Sequence, residues 1–362
     1  MLEGVASRAV PRPVTEEHLD ELERLVDTAG AQVVARFVKE RSAPDPATYV
    51  GKGSVEEIGQ AAREKGATLV VFDDELSPGQ ARNLEKRWGE GVRALDRPGI
   101  ILDVFASHAR TREARTQVEL AQLQYLLPRL VGRYEHLSRM GGGIGGRGPG
   151  EQKLEVDRRK IRKRISRLRE DLSRIETSRA VRRRGRRALF QVAIAGYTNA
   201  GKTTLFNRLT RESAYTADRL FATLDARVAR ASSRSLPDAI FIDTVGFVRK
   251  LPTALVASFR STLAEIREAD LVLHAVDASS SRAEEERRIA IEVLDELDVP
   301  AERILTVWTK QDLVPGLAPS LRALGGGEPF VSALTGAGVD LLETEIRRRA
   351  RARGEKFLVR VP

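Results

Sequence analysis

Apolar positions recur along this chain with two different periods. Over residues 15–105, helical spacing alternates with short apolar runs. Glu16–Ala29 and Ser54–Lys65 read as helices, and Gln32–Val38, Thr68–Phe72, Val92–Leu95 and Ile100–Phe105 read as strands. Ser77-Pro78 opens a further helix, as a capping serine with proline at the first helical position does. The stretch predicts a small α/β domain. Two long helical seams follow. Leu120, Leu123, Leu127, Leu130, Tyr134 and Leu137 form one, and Leu154, Ile161, Ile165, Leu168, Leu172 and Ile175 the other. Heptad spacing in both predicts a long antiparallel helical hairpin held by ordinary packing, with Pro128 kinking its first arm. From Leu189 a second α/β pattern begins. Apolar strands at Phe190–Ala195, Ala239–Asp243, Leu271–Asp277 and Ile304–Thr309 alternate with helical stretches, as in a mostly parallel sheet. A last helix, Val339–Arg351, leads into a strand-like tail, Lys356–Val361. The expected domains are 1–106 (α/β), 107–187 (hairpin), 188–350 (second α/β domain) and 351–362 (short tail).

The length of 362 residues suits two or three domains, and 41% hydrophobic with 31% charged residues reads as soluble and globular. No apolar run approaches the ~18–20 residues of a membrane span, which argues against membrane insertion. Met1–Val14 lacks the apolar segment of a secretion signal. The absence of cysteine removes disulfides, thiolate nucleophiles and Cys-ligated metals, and suits a reducing cytoplasm. His18, His108, His136 and His274 are scattered, with no ligand spacing. What remains is oxygen, nitrogen and phosphate chemistry.

Charge changes the picture at one place. Lys153–Arg187 holds sixteen basic residues against five acids, an excess larger than the net +10 of the whole chain. Such a run can be a solvated helix face. Its preference for arginine, whose planar fork suits phosphate oxygens, favours a polyanion, RNA above all. Between the hairpin arms lies a Gly-rich string, Gly141-Gly142-Gly143-Ile144-Gly145-Gly146-Arg147-Gly148-Pro149-Gly150. It contains a GxGxxG pattern, but no strand precedes it, so a dinucleotide-binding reading fails. A flexible connector and a tip whose amides and Arg147 approach RNA phosphates fit it equally.

The strongest motif is Gly196-Tyr197-Thr198-Asn199-Ala200-Gly201-Lys202-Thr203, a GxxxxGK[ST] loop between an apolar strand and a helix. Its amides and the helix N-terminus are suited to cradling phosphates, a nucleotide-contact set that extends to Thr204. Lys202 is placed for the β and γ phosphates and Thr203 for Mg²⁺. Further GTPase elements follow in order. Asp243-Thr244-Val245-Gly246 ends the next strand, with Asp243 placed for Mg²⁺ through water and the Gly246 amide for the γ phosphate. In Phe221-Ala222-Thr223-Leu224-Asp225, Thr223 stands where a switch threonine closes over Mg²⁺ and γ phosphate. Lys202, Thr203, Thr223 and Gly246 are thus the expected catalytic set, and Thr203, Thr223 and Asp243 the expected metal set. Thr309-Lys310-Gln311-Asp312 supplies base recognition: Asp312 can accept from guanine N1 and N2, and Lys310 would lie along the ring. Ser332-Ala333-Leu334 offers an amide to guanine O6. Together these predict a guanine nucleotide. Thr309 stands where asparagine is commoner, and a hydroxyl replaces only part of an amide's hydrogen bonding, which weakens GTP selectivity and leaves weak ATP use open. Phe247 stands where a Ras-like GTPase has a water-orienting glutamine, so intrinsic turnover should be slow and the missing group must come from a partner, a rearranged loop or a cation. Asn199 is placed as in GTPases that bind K⁺ beside the phosphates, making K⁺ a candidate.

These residues resemble the HflX family of ribosome-associated P-loop GTPases over about residues 15–350. The strings that carry the resemblance are Gly51-Lys52-Gly53, Phe72-Asp73-Asp74-Glu75-Leu76-Ser77-Pro78, Gln117-Val118-Glu119-Leu120-Ala121-Gln122-Leu123, Arg147-Gly148-Pro149-Gly150-Glu151 and the phosphate loop itself. Gln152-Lys153 departs from the usual Thr-Gln, and Thr309 from the usual Asn. The resemblance implies a cytoplasmic GTP hydrolase that binds the large ribosomal subunit and its rRNA, a monomer off the ribosome. It implies that rRNA contact stimulates hydrolysis, that the N-terminal region and hairpin reach towards the peptidyl-transferase centre, and that GTP serves to split or rescue stalled ribosomes under stress. It tilts the Gly-rich tip towards RNA contact. A large-subunit assembly GTPase and a nucleotide-gated RNA-binding or remodelling protein are the alternatives.

Overall fold

Strands buried on both faces need no alternation, and the continuous apolar runs of this chain form two mostly parallel sheets. The computed structural model describes residues 1–7, 10–130, 149–186, 188–213, 220–221, 226–236, 238–250, 259–314 and 327–358. The chain divides into two compact units, Met1–Ser173 with Lys250–Ser258, and Arg174–Arg249 with Phe259–Pro362.

In the first unit, β1 (Leu2–Ala6), β2 (Arg36–Glu40), β3 (Leu69–Phe72) and β4 (Arg93–Asp96) form a parallel sheet in the order β2-β1-β3-β4. Its helices are α1 (Arg12–Thr28), α2 (Lys52–Glu64), α3 (Pro78–Trp88) and α4 (Arg97–His108). One core gathers Val55, Ile58, Leu84 and Trp88 against Val70 and Phe72. The start of α3 is a reciprocal cap, as Ser77-Pro78 leads one to expect. The Gln80 amide donates to Ser77 Oγ at 3.1 Å, and the Ser77 amide donates to Gln80 Oε1 at 2.9 Å.

Three expectations need correction here. β1 has no counterpart in the sequence reading, because Glu3 and Gly4 interrupt its apolar run, yet it is fully buried and pairs with both β2 and β3. β2 starts at Arg36 rather than Gln32. Ile100–Phe105, expected as a strand, is the middle of α4. Asp96 caps that helix by accepting from the Gly99 amide at 3.0 Å, and Pro98 sits in its first turn. Burial of Ile100, Ile101, Leu102, Val104 and Phe105 leaves only Asp103, Ala106 and Ser107 exposed, a face too narrow to break up the apolar run that resembles a strand.

A charged cluster stabilises the end of β3. Arg97 is wholly buried; its Nε and Nη2 donate to Asp73 Oδ1 at 3.0 and 2.6 Å, and its Nη1 to Glu21 Oε1 at 3.1 Å. Lys250 Nζ pairs with Asp73 at 2.8 Å and also with Asp74. Burial opposes the Asp73 charge, but the His18 hydrogen bond and the Arg97 and Lys250 cations hold its carboxyl well below the usual carboxylate range.

The two hairpin arms are α5 (Arg112–Arg129) and α6 (Pro149–Gly185). Leu120, Ile165 and Leu168 are buried together, flanked by Leu123, Leu127, Ile161 and Leu172, so the heptad seam does pack. Arg164 Nε and Nη2 donate to the Glu119 carboxylate at 2.6 and 2.7 Å. Pro128 lies in the last turn of α5. Tyr134, Leu137 and the Gly141–Gly148 string lie outside the described residues.

In the second unit, β5 (Phe190–Gly196), β6 (Arg227–Arg230), β7 (Ala239–Asp243), β8 (Leu271–Asp277) and β9 (Ile304–Thr309) form a sheet in the order β6-β7-β5-β8-β9, parallel except for β6. The four apolar runs expected as strands are strands. β6 has no apolar run to predict it, since its two arginines and largely exposed positions are those of an edge strand. Helices α7 (Lys202–Thr210), α8 (Arg260–Glu268), α9 (Ala283–Glu296) and α10 (Val339–Leu358) complete the unit. Val192, Ile194, Leu205, Phe206, Phe241, Leu273, Val307, Leu342 and Ile346 fill its main core. Because α10 runs to Leu358, residues 356–358, expected as strand, are helical. Arg353 holds the extra turns by donating to Leu189 O at 3.3 Å and pairing with Asp270. Among the described residues, no helix is long and apolar enough to cross a membrane.

Candidate functional site

The site lies where β5, β7 and β9 end, the position at which an open parallel sheet presents its loops. β5 terminates at Gly196 with φ +146, and a Cβ there would collide with Ala275 O, so only glycine admits this close approach of β5 to β8. The loop then passes through Asn199 and Gly201, both left-handed (φ 61 and 76), and enters α7 at Lys202. The amides that begin α7 therefore face the mouth of the loop, an arrangement suited to an anion.

Lys202 is buried, and its Nζ donates to Tyr197 O at 2.6 Å. Burial lowers its ammonium from an ordinary 10.5 to about 8, against the opposing pull of Asp243. Thr203 Oγ1 donates to Oδ2 of the fully buried Asp243 at 2.8 Å. These two oxygens from separate elements suit a hard divalent cation, for which oxygen donors are preferred.

Residues 243–248 are tied to the loop by the main chain. The Phe247 amide donates to Gly196 O at 2.9 Å, and the Thr198 amide donates to Phe247 O at 2.7 Å. Thr244 Oγ1 donates to Ile194 O at 2.8 Å, and the Arg249 amide donates to the Tyr197 hydroxyl at 3.0 Å. A Cβ on Gly246 would meet Thr198 Cα at 2.8 Å and Lys202 Nζ at 2.9 Å. The Thr244 and Tyr197 hydroxyl contacts have no sequence signal, because they depend on strand register. Phe247 is buried, as its neighbours Val245 and Val248 are.

The segment from Thr309 to Asp312 lies beside the same loop. Thr309 Oγ1 is 2.8 Å from Ala200 O and 3.0 Å from Val276 O, so its one proton serves two carbonyls. Lys310 is left-handed (φ 55), and its Nζ pairs with Asp277 Oδ2 at 2.7 Å. Asp312 is exposed, in a short 3₁₀ turn, Gln311–Leu313. The Gln311 amide donates to Val331 O at 3.2 Å, bringing in Ser332-Ala333-Leu334. Ser332 is fully buried, Ala333 half-buried and Leu334 76% exposed. The structure thus gathers Gly196–Thr204, Asp243–Gly246, Thr309–Asp312 and Ser332–Leu334 into one unit. Phe221 is buried with φ 59, whereas Ala222, Thr223, Leu224 and Asp225 lie outside the described residues.

The Thr309 geometry has a measurable consequence. Thr309→Val keeps the shape and leaves Ala200 O and Val276 O without their donor. Unsatisfied buried groups cost about 1–3 kcal/mol, so the urea unfolding midpoint of the nucleotide-free protein should fall correspondingly. An unchanged midpoint would show that both carbonyls find other donors.

Comparison with known proteins covers nearly the whole chain. The family described as "GTP-binding GTPase N-terminal" matches residues 16–106, "GTP-binding GTPase Middle Region" residues 108–186, and "50S ribosome-binding GTPase" residues 191–310. GTPase HflX of Escherichia coli (strain K12) is 42% identical over 351 residues, spanning 96% of this chain and 82% of that protein. GTPase HflX of Caldanaerobacter subterraneus subsp. tengcongensis is 44% identical over 341 residues, spanning 94% and 78%. A crystal structure of SsGBP with GDP is similar in fold, with a TM-score of 0.50 at 23% identity, over 97% of this chain and 98% of that one.

Proposed function

The chain belongs to the HflX family of GTPases, and on that premise we propose that it is a cytosolic enzyme that hydrolyses GTP on the large ribosomal subunit to split or rescue stalled ribosomes. The observation that carries the GTPase reading is the buried Lys202 at the head of α7, beside the Thr203–Asp243 pair. In this reading the amides of Asn199–Thr204 cradle the phosphates, and Lys202 reaches the β and γ groups. Thr203 and Asp243, joined by Thr223, hold Mg²⁺, which when bound offsets charge on the phosphate oxygens. The Gly246 amide meets the γ phosphate. Asp312 accepts from guanine N1 and N2, Lys310 lies along the ring, and a Ser332–Leu334 amide meets O6. Thr309 supports the loop rather than the base. Asn199 is the candidate K⁺ ligand.

Phe247 supports the ribosome-dependent part. A buried phenyl ring orders no water, so the chain alone should turn GTP over slowly. The arginine-rich face of α6 is suited to rRNA phosphates. The test is GTP turnover at fixed Mg²⁺ and K⁺, with and without purified large subunits. Stimulation of about tenfold or more is expected, a modest share of what one positioned catalytic group supplies. Turnover unaltered by mature subunits would sink the splitting role; binding restricted to immature subunits would replace it with an assembly role.

A further inference from the structure

Glu328 belongs to none of the segments assigned above to the nucleotide, yet its carboxylate joins two elements beside them. Oε2 accepts from the Trp308 indole Nε1 at 2.8 Å, and Oε1 accepts from Nη2 of Arg287, on α9, at 3.2 Å. Trp308 is wholly buried and directly precedes Thr309 on β9. A buried indole N–H needs an acceptor, and Glu328 provides it. The Trp308 ring also stacks on Phe330, with centroids 5.6 Å apart and planes 10° from parallel. The main chain runs alongside: the Trp308 amide donates to Pro329 O at 2.9 Å, and the Val331 amide donates to Trp308 O at 2.7 Å. Glu328–Val331 is thus a strip laid on the end of β9 and clasped at its start by the carboxylate.

The strip leads into a base-reading turn. The Ser332 amide donates to Ala337 O at 2.9 Å, the Gly336 amide to Ser332 O at 2.8 Å, and the Thr335 amide to Ser332 Oγ at 3.1 Å. A turn braced in this way keeps its own shape, so its place over a base depends on the strip before it and on α10 after it. Thr309–Asp312 is fixed by other means: the Thr309 hydroxyl bonds Ala200 O and Val276 O, and Lys310 pairs with Asp277.

Resting on the GTPase reading above, we propose that Glu328 is a positioning residue for guanine recognition. It holds the Ser332–Leu334 amide against guanine O6 and acts through Trp308, while the reading of N1 and N2 by Asp312 stands without it. The two halves of base recognition are then anchored separately. Arg287 adds a charge-assisted bond to the clasp, and its guanidinium lies 5.9 Å from the centre of the Trp308 ring.

The test titrates GDP, 6-thio-GDP and IDP against fluorescent GDP on the full chain. 6-Thio-GDP replaces O6 by sulfur, a poorer acceptor, and IDP lacks only the N2 amine. In Glu328→Leu the preference for GDP over 6-thio-GDP should fall about fivefold, the worth of one neutral hydrogen bond. The preference for GDP over IDP should stay within about twofold. Glu328→Gln keeps an oxygen for the indole and should restore most of the first preference. Trp308→Phe removes the indole donor, keeps a stacked ring and should reproduce the loss. If either Glu328→Leu or Trp308→Phe, shown folded by a thermal melt, weakens all three nucleotides alike or none, the role is merely structural and the proposal is overturned. Equal falls in both preferences would overturn it as well, because Asp312 would then share the anchor. No preference for GDP over 6-thio-GDP in the unmodified chain would overturn the O6 contact and this inference with it. Absence of GDP binding by the unmodified chain would instead overturn the GTPase reading itself.

Discussion

Lys202→Ala should yield a folded protein that binds GDP and GTP about 10³-fold more weakly than the unmodified chain. The loss follows from two charge-assisted hydrogen bonds to phosphate, each contributing roughly 1.5–3 kcal/mol, at about 1.4 kcal/mol per factor of ten. The side chain is buried and its ammonium is satisfied in part by Tyr197 O, so the alanine variant also removes a desolvated charge and should not unfold the second unit. Fluorescent-nucleotide titration alongside a thermal melt separates the two effects; tight binding by a folded variant would refute the phosphate-loop assignment.

The same lysine sets a pH dependence. Its ammonium, lowered by burial to about 8, loses its proton as pH rises through that value. A polyphosphate favours the charged form, so nucleotide affinity in the unmodified chain should decline above about pH 8, and this decline should vanish in Lys202→Ala. Between about 8 and the ordinary 10.5, the unfolded chain holds a proton here that the folded one does not. This residue therefore makes folding stability rise with pH in that window.

The catalytic half of the chain was the more legible. Its four parallel core strands are largely buried and read as mainly apolar runs, and the motifs sit at their carboxyl ends, so finding the strands also located the loops. The strands that escaped notice are those that packing defines and pattern does not. β1 carries a buried Glu3, whose carboxyl is raised well above its usual range by burial, and β6 carries arginine at both ends. In α4, the buried residues of Ile100–Phe105 leave a narrow exposed face at Asp103, Ala106 and Ser107, so the Asp96 cap and Pro98 are its clearer marks. Side-chain bonds were harder still. That Thr309 ties Ala200 to Val276 depends on where the phosphate loop and β8 place their carbonyls, which no local spacing encodes.

Asp312→Asn should invert the base preference, weakening GTP and strengthening XTP until their affinity ratio has shifted by about 10³–10⁴. A carboxylate accepts from both N1–H and N2–H₂ of guanine. The amide of asparagine accepts from one and presents its own NH₂ to the other, leaving two donors opposed. Xanthine has a carbonyl in place of the N2 amine, and therefore fits the amide and repels the carboxylate. Sites built to hydrogen-bond one group reject the analogue lacking it by about 10⁴–10⁵, and exposure of Asp312 reduces that figure through competing water. The backbone should not move, since Gln311 is held by Val331 O and Lys310 by Asp277. Competition of GTP, XTP and ATP against fluorescent GDP measures the shift, and an unchanged preference for GTP would mean that the base is read elsewhere. Thr309 sharpens the expectation. Its hydroxyl proton is already shared by Ala200 O and Val276 O, leaving no donor at that position for the base. Discrimination then concentrates on Asp312, whose substitution should expose the weakest remaining barrier, that against ATP.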